Sequence, residues 1–459
     1  MSLYKFRKVE GNTMRKRLTA LLLSFVMLLT MLPVTVSAEG AEETGGGTAT
    51  GHVLDISYGD ITITDDCFTY YVAGDTNVRS YTWAADEEHK VTITGTSVGD
   101  AATPTPAHIV KIESGNPEIT LDNVKIEHPN VFFGDRNKGY SDEIREYAYV
   151  PGIVLMSGAA TLVLKGTNAI TGSNQGPAVQ INKDAVLTIK DSGTGDGVLV
   201  ARTAGNNNTA AIGASRDKNY AINPNTGAPD NNFRSGGKLI IESGTIDAYA
   251  ASSGAAIGAG YGVYFGDIDI KGGTVKAETK NFYAIATYTN ASYNENVGGL
   301  TISGGTLTAT NSNNGGNCVK VNSFTMTGGT LAEMTKAKST TYFNVQSATI
   351  TGGNTNDYYD GTAAVSGTKV KLYFFDTESK PLVNADVTVN DWTAMTDGNG
   401  TITTYLPAGT NSVTYNGNSY ELKNGAALLG LTYDEENALQ WEAGDPFAIN
   451  IDNDTTGTV

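Results

Sequence analysis

The chain has 459 residues, and its 31 basic and 48 acidic side chains give a formal net charge of −17 at pH 7. A surface of this charge repels nucleic acid and anionic membranes, so we expect no nucleic-acid partner. The only cysteines, Cys67 and Cys318, lie far apart in the sequence, which excludes a disulfide scaffold.

The first 38 residues have the pattern of an export signal. A basic run at 15–17 precedes an apolar run at 18–32, and small residues at 36–38 predict cleavage before Glu39. The apolar run is about 15 residues long, whereas a membrane-spanning helix needs about 20. Export is therefore favoured over a membrane anchor, and no membrane insertion is expected after cleavage. The mature chain would carry 25 basic and 47 acidic residues, a net charge of −22.

A short motif recurs through the middle of the chain. Each copy alternates apolar and polar residues and then reaches a glycine-containing turn; the copies occupy residues 239–245, 268–274, 300–306, 324–330 and 348–354. Their second turn positions are separated by 29, 32, 24 and 24 residues. Alternation predicts a half-buried strand, and glycine permits the bend that follows it. Repeated short strands and turns predict the coils of a parallel β-helix, with an ordinary β-sandwich as the alternative.

The repeats also predict which side chains point inward. The apolar positions of the aligned copies should stack from coil to coil, namely Leu239, Ile241, Ile268, Ile270, Leu300, Ile302, Phe324, Met326 and Ile350. A second motif of small residues, at 210–214 and 255–260, should let adjacent coils approach closely. Residues 52–118 are expected to cover the open N-terminal end, where an exposed sheet edge would otherwise aggregate.

The repeat pattern stops after Gly361. We therefore predict an all-β chain in which a right-handed parallel β-helix with an N-terminal cap spans residues 52–365, preceded by a flexible linker at 39–51. Several short strands separated by turn residues follow at 366–422, which predicts a small Ig-like or prealbumin-like β-sandwich. Residues 423–459 are acidic and weakly patterned, and we interpret them as a tail or the start of a further module.

Aromatic residues collect in the insertions between repeats. Such insertions in solenoids project from one face, which is often the binding face. Aromatic rings beside Asn and Asp suit sugars, because the C–H face of a sugar stacks on a ring while its hydroxyls meet polar groups. The predicted substrate-binding residues are Tyr220, Phe233, Tyr261, Tyr264, Tyr283 and Tyr288. The alternative is that these rings only pack the loops onto the rod.

The motifs resemble those of a known group of proteins. The export signal, the opening at 54–57, the stretch 119–124 and the repeated Ile-x-Gly-Gly-Thr turns look like Gram-positive surface proteins with carbohydrate-binding domains. Relatives in that group include cellulose- and pectin-binding β-helices with calcium sites. The resemblance implies a secreted or cell-wall-associated protein whose partner is a plant cell-wall or host polysaccharide. It leaves calcium open as a cofactor, and no ligand residue can be carried over.

The stretch 369–415 resembles a second kind of domain. Its Pro381-Leu382 and Thr396-Asp397 elements are similar to carboxypeptidase-regulatory-like and Cna-B-type modules, which usually serve as stalks or spacers.

Catalytic residues are not expected from the sequence. The histidines, at positions 52, 89, 108 and 128, all precede residue 129, so the regular coils hold no Ser-His-Asp triad and no histidine-containing zinc set. Arg202, residues 216–218 and Arg234 with Asp230 are the one local group that could support a lyase. We predict a non-catalytic polysaccharide-binding surface protein. A protein-binding adhesin or spacer and a β-helix lyase or hydrolase remain the alternatives.

Overall fold

The structure is a computed structural model. It describes residues 52–102, 105–130, 150–174, 176–205, 208–215, 236–288, 297–312, 316–337, 339–365, 368–375, 380–406, 411–415, 418–422 and 448–453. These residues are all-β: they contain no α-helix, only a single 3-10 turn at Ile56–Tyr58. In the same ranges no helix is long and apolar enough to cross a membrane.

The first half of the strands precedes the regular motif. They are β1 (His52–Asp55), β2 (Ile61–Ile63), β3 (Cys67–Tyr70), β4 (Arg79–Thr82), β5 (Lys90–Thr94), β6 (Thr96–Val98), β7 (Val110–Ile112), β8 (Glu118–Asp122), β9 (Lys125–Glu127), β10 (Ile153–Leu155), β11 (Gly158–Lys165), β12 (Thr167–Gly172), β13 (Val179–Ile181), β14 (Ala185–Asp191), β15 (Val198–Thr203) and β16 (Ile212–Gly213).

The remaining strands carry the motif and the C-terminal region. They are β17 (Lys238–Ile241), β18 (Thr245–Ala250), β19 (Ile257–Gly258), β20 (Ile268–Ile270), β21 (Thr274–Thr279), β22 (Ile285–Ala286), β23 (Leu300–Ile302), β24 (Thr306–Asn311), β25 (Val319–Lys336), β26 (Phe343–Asn354), β27 (Thr368–Phe375), β28 (Asp386–Val389), β29 (Trp392–Met395), β30 (Thr401–Leu406), β31 (Asn411–Tyr415), β32 (Asn418–Leu422) and β33 (Ala448–Asn453).

Strands β1–β26 form one long sheet that is mostly parallel. Over most of its length each strand pairs with the strand three places later in the chain. One row runs through β17, β20 and β23, a second through β16, β19 and β22, and a third through β18, β21 and β24. The long strand β25 joins all three rows. Among the described strands of this sheet, antiparallel strand pairs occur only where β2, β3 and β4 meet at its N-terminal end.

The predicted inward positions form the core. Leu239 pairs with Ile268, Ile268 with Leu300 and Leu300 with Phe324, so each side chain lies against its equivalent in the next repeat. All nine predicted residues are fully buried, with relative exposures of 0%. This prediction is confirmed. Full burial of one such aliphatic side chain stabilises the fold by about 1.5–3 kcal/mol.

The two positions of each Gly-Gly turn require glycine for different reasons, as Gly304 and Gly305 show. A Cβ atom on Gly304 would lie 2.3 Å from the carbonyl oxygen of Lys271 in the preceding repeat, which is too close for any side chain. Gly305 has a φ of +70°, in the left-handed region that residues with a Cβ disfavour. The first glycine therefore permits close approach of two turns, and the second permits the bend itself.

The second small-residue motif also lies where two chain segments meet. Gly213 of β16 pairs with Gly258 of β19, and a Cβ on Gly213 would lie 2.0 Å from the Gly258 carbonyl oxygen. The flanking alanines at 211 and 256 are fully buried. The predicted close approach of neighbouring repeats at this motif is thus confirmed.

The strands after the repeats form two antiparallel sheets. One has the order β30-β27-β33 and the other the order β29-β28-β31-β32. Buried side chains from both sheets, such as Leu372, Phe374 and Val387, belong to one apolar cluster. Strand β33 lies in the segment that the sequence suggested to be a tail or a further module, and it pairs with β27.

Both cysteines are free thiols. Cys67 is half-buried, whereas Cys318 is fully buried and its Sγ donates to the Thr335 carbonyl oxygen at 3.1 Å. Burial is the main cause that raises the pKa of the Cys318 thiol to about 12. Because the thiolate is the reactive form, Cys318 is a structural residue.

Candidate functional site

The structure brings four of the six predicted aromatic residues into two neighbouring loops. Tyr261 and Tyr264 follow β19, and Tyr283 and Tyr288 flank β22. An antiparallel backbone bridge between Tyr264 and Tyr288 joins the loops. Tyr220 and Phe233 lie outside the residues that the structure describes.

Rings within this pair of loops are in contact. The ring of Tyr261 lies 5.9 Å from that of Phe282, which lies 4.3 Å from that of Tyr283. Both pairs have edge-to-face geometry, with interplanar angles of 61° and 66°. Tyr261 is 44% exposed, whereas Phe282 and Tyr283 are half-buried. The loops therefore present one open ring, Tyr261, which packs on Phe282, and Phe282 in turn packs on Tyr283. Phe282 was not among the predicted site residues, although it lies beside Tyr283 in the sequence.

The buried residue Phe265 fixes the first loop. Phe265 is fully buried, and its backbone N–H donates to the Thr287 carbonyl oxygen at 2.8 Å. A Cβ on Gly236 would lie 2.1 Å from the Phe265 ring, so glycine makes room for it. The N–H of Tyr261 donates to the Asn208 carbonyl oxygen at 2.7 Å. These contacts hold the loop on the strands, so Tyr261 does not depend on ligand for its position.

Lys320 completes the cluster, and the sequence did not predict it. Lys320 pairs with Ala286 across β25 and β22, and it is only 9% exposed. Its Nζ lies 5.0 Å from the centroid of the Tyr283 ring and 4.7 Å from that of Tyr288. It also donates a hydrogen bond of 3.3 Å to the Tyr283 hydroxyl. We define Tyr261, Phe282, Tyr283, Tyr288 and Lys320 as the aromatic cluster.

Lys320 is the one lysine in the described part of the chain that is buried. It has no carboxylate within ion-pairing distance, whereas Lys238 and Lys336, for example, pair with Asp269 and Asp360 at 2.6 and 3.0 Å. Burial lowers the pKa of the Lys320 ammonium, and burial followed by the nearby Tyr288 raises the pKa of the Tyr283 hydroxyl. The two tyrosine rings supply cation–π attraction that partly offsets the loss of water around the ammonium.

The cluster presents hydrogen-bond donors as well as rings. The Tyr283 hydroxyl oxygen accepts from Lys320, so its own hydrogen can donate to another group. A molecule lying on Tyr261 would thus meet an apolar ring beside donors that favour oxygen acceptors. Sugar rings, with C–H faces and oxygen rims, have this combination of surfaces.

Residues considered for catalysis have structural partners. Arg202 forms an ion pair of 2.6 Å with Asp247, and His52 bonds Glu87 at 2.7 Å. His128 is buried and bonds backbone groups on both sides of its ring. Arg216, Asp217, Lys218, Asp230 and Arg234 lie outside the described residues. Across the described ranges no group of three or more His, Cys, Asp or Glu side chains could hold a metal ion.

Comparison with known proteins gives no relative for this chain. No protein family, no curated protein and no solved structure matches it. What the geometry defines is an all-β protein with a long, mostly parallel sheet and an aromatic cluster on its loops.

Proposed function

We propose that this chain is an exported, non-catalytic surface protein of a Gram-positive-type bacterium that binds polysaccharide through the aromatic cluster. The observation that carries the proposal is the exposed Tyr261 ring, backed by Phe282 and Tyr283 in loops fixed to the sheet. Because the rings are already in position, binding of a sugar does not require the loss of conformational entropy that ordering a loop would cause. The predicted export signal and the acidic charge of the mature chain agree with an extracellular location.

The architecture that supports this site is proposed to be a right-handed parallel β-helix. Pairing of each strand with the third strand after it is what three strands per coil would produce. The right hand is the one expected for connections between parallel strands. The shared core of the two antiparallel sheets supports an Ig-like or prealbumin-like β-sandwich for the C-terminal region.

Binding without cleavage is favoured over an enzyme by the partners of the basic residues. Arg202 is neutralised by Asp247. Lys320 lies inside the aromatic cluster, where its only hydrogen-bond acceptor in the described part of the chain is the Tyr283 hydroxyl.

A binding assay tests the proposed function. The chain from Glu39 onward is incubated with cellulose, pectin and host polysaccharides, with and without calcium, and the bound fraction is measured together with new reducing ends. Retention by at least one polysaccharide with no release of reducing ends is the expected result. Release of reducing ends would establish an enzyme instead. No retention in any condition would contradict the proposal and favour a spacer that binds a protein partner.

A further inference from the structure

A cleft of ≈ 640 Å³ lies between the turns of the last repeats and the C-terminal hairpin β28–β29. Its volume is within the range of small-ligand sites, about 300–1,000 Å³. One wall consists of the repeat turns and includes Ser303, Thr306 and Thr327. The other wall consists of the hairpin and includes Asp386, Asp391 and Trp392. The cleft shares no residue with the aromatic cluster.

Polar side chains around this cleft are unused by the protein. Within the described ranges, no hydrogen bond or ion pair is made by the side chains of Ser303, Thr306, Thr327, Thr351, Asp386 and Asp391. The indole N–H of Trp392 is buried and also lacks an acceptor. An unpaired buried donor costs about 1–3 kcal/mol. Several hydroxyls, two carboxylates and the indole N–H thus surround one cavity without a hydrogen-bond partner in the described part of the protein.

The row of threonines in the repeat turns already binds a polar group at one position. Thr330 accepts a 3.2 Å hydrogen bond from the backbone N–H of Met395 in β29. Thr306 pairs with Thr330 one repeat earlier, so its hydroxyl occupies the equivalent position in the cleft. A ligand donor at Thr306 would repeat the contact that Met395 makes with Thr330.

Strand β29 offers backbone groups on the side of the cleft that faces the threonine row. It is the edge strand of its sheet, and its inner neighbour is β28. The Met395 N–H and C=O point away from β28, toward Thr330 and Asn354. Alternate residues of an antiparallel strand orient these groups alike, so the N–H and C=O of Thr393 also face the cleft.

The charge of the lining decides which ligand fits. Asp386 and Asp391 are exposed carboxylates, and no Lys or Arg lines the cleft. An anionic ligand would be repelled, whereas hydroxyl and amine donors would find acceptors. We propose that the cleft is a second saccharide-binding site, selective for a short neutral or amine-bearing sugar chain. The threonine hydroxyls, Asp386, Asp391 and the Thr393 carbonyl oxygen accept the ligand's donors.

Paired substitutions of equivalent threonines test this site. Thr306→Val removes the hydroxyl in the cleft with little change of shape. Thr274→Val removes the hydroxyl one repeat earlier in the same row, outside the lining, and is the matched control. Both are made in a Tyr261→Ala chain, so any contribution from the aromatic cluster is the same in each. Calorimetric titration uses a cello-oligosaccharide, a glucosamine oligosaccharide, an oligogalacturonate and a lysine-rich peptide as probes.

The expected result is binding of the neutral or glucosamine oligosaccharide that Thr306→Val weakens about 2- to 12-fold, the effect of one hydrogen bond. Thr274→Val should leave the affinity unchanged, and Asp386→Asn with Asp391→Asn should weaken the glucosamine probe most. Equal affinities of the Thr306→Val and Thr274→Val chains would overturn the proposal. Binding of the lysine-rich peptide without binding of any oligosaccharide would also overturn it. Because both variants carry the same Tyr261→Ala cluster, a difference between them reports on the cleft alone and can be found whether or not the aromatic cluster binds polysaccharide.

Discussion

The side chain of Asn354 accepts a 2.9 Å hydrogen bond from the backbone N–H of Thr403. Its amide nitrogen donates to the carbonyl oxygens of Met395 and Thr401 at 2.9 and 3.3 Å. Asn354 is the last residue of the long sheet, and all three partners belong to the C-terminal sheets or their connection. One buried amide therefore satisfies backbone groups from two separate parts of the fold.

Replacement of Asn354 by Ala should lower the free energy of unfolding by about 2–4 kcal/mol, because buried backbone groups lose their partners. Urea unfolding monitored by far-UV circular dichroism measures the change. Asn344→Ala, at an exposed position of the same strand, is the control and should change stability by less than about 0.5 kcal/mol. Equal stabilities of the two variants would mean that Asn354 does not connect the sheets.

The sequence predicted the position of Asn354 but not its role. Asn354 stands where Thr330 and Thr306 stand in the earlier repeats, so the motif places it at the turn. Its partners come from strands of another sheet, and Thr403 is 49 residues away. Short alternating motifs define which face of a strand is buried, whereas a side chain that bonds a distant backbone leaves no local pattern.

The core positions could be predicted because a local alternation of apolar and polar residues marks them. Ile302→Ala should destabilise the chain by about 2–5 kcal/mol, through lost burial and the cavity left behind. Ile302 is fully buried between Ile270 and Met326, whereas its neighbour Thr301 is only partly buried on the other face. Thr301→Ala is therefore the control in the same urea experiment. A loss below about 1 kcal/mol for Ile302→Ala would mean that this strand does not face the core.

His128 should make stability depend on pH. Nδ1 accepts from the Ala107 N–H at 3.1 Å, so the hydrogen is on Nε2 and donates to the Pro151 carbonyl oxygen at 3.1 Å. Burial lowers the pKa of His128 to about 4, from the ordinary value of 6.5. Between these pH values the unfolded chain binds more protons. The contribution is therefore complete above pH 6.5 and is lost as pH falls toward about 4, on the order of 3 kcal/mol in total.

The measurement is the free energy of unfolding at several pH values between 7 and about 4.5, above the range where most carboxyls titrate. His128→Gln keeps an acceptor and a donor but cannot be protonated, so its stability should vary less over this range. Parallel pH profiles for the two chains would contradict the assignment of this pH dependence to His128.

Lys320 should matter more for binding than for stability. A buried ammonium without a carboxylate partner gives little net stabilisation, so Lys320→Met should change the free energy of unfolding by less than about 1 kcal/mol. Polysaccharide binding should weaken several-fold, because Tyr283 and Tyr288 lose the charge that orients them. Lys280→Met, at an exposed position, is the control. A large loss of stability with unchanged binding would make Lys320 a structural residue.

The sequence could not have placed Lys320 in the cluster. Ala286 and Lys320 are equivalent positions of neighbouring repeats, yet Ala286 lies 14 residues before Leu300 and Lys320 lies 4 residues before Phe324. The insertion after Ala286 hides the equivalence. The aromatic residues were easier to predict, since their concentration in insertions is visible without any knowledge of strand register.

The most direct test of polysaccharide binding by the aromatic cluster compares two tyrosines of equal exposure. Tyr261 is 44% exposed in the cluster, and Tyr58 is 45% exposed in the 3-10 turn. The dissociation constant of each alanine variant is measured for a polysaccharide that the native chain retains. Loss of one ring contact of about 0.5–1.5 kcal/mol should raise it about 2- to 12-fold for Tyr261→Ala, with the melting temperature nearly unchanged. Tyr58→Ala should bind as the native chain does. Equal dissociation constants for the two variants would contradict the account.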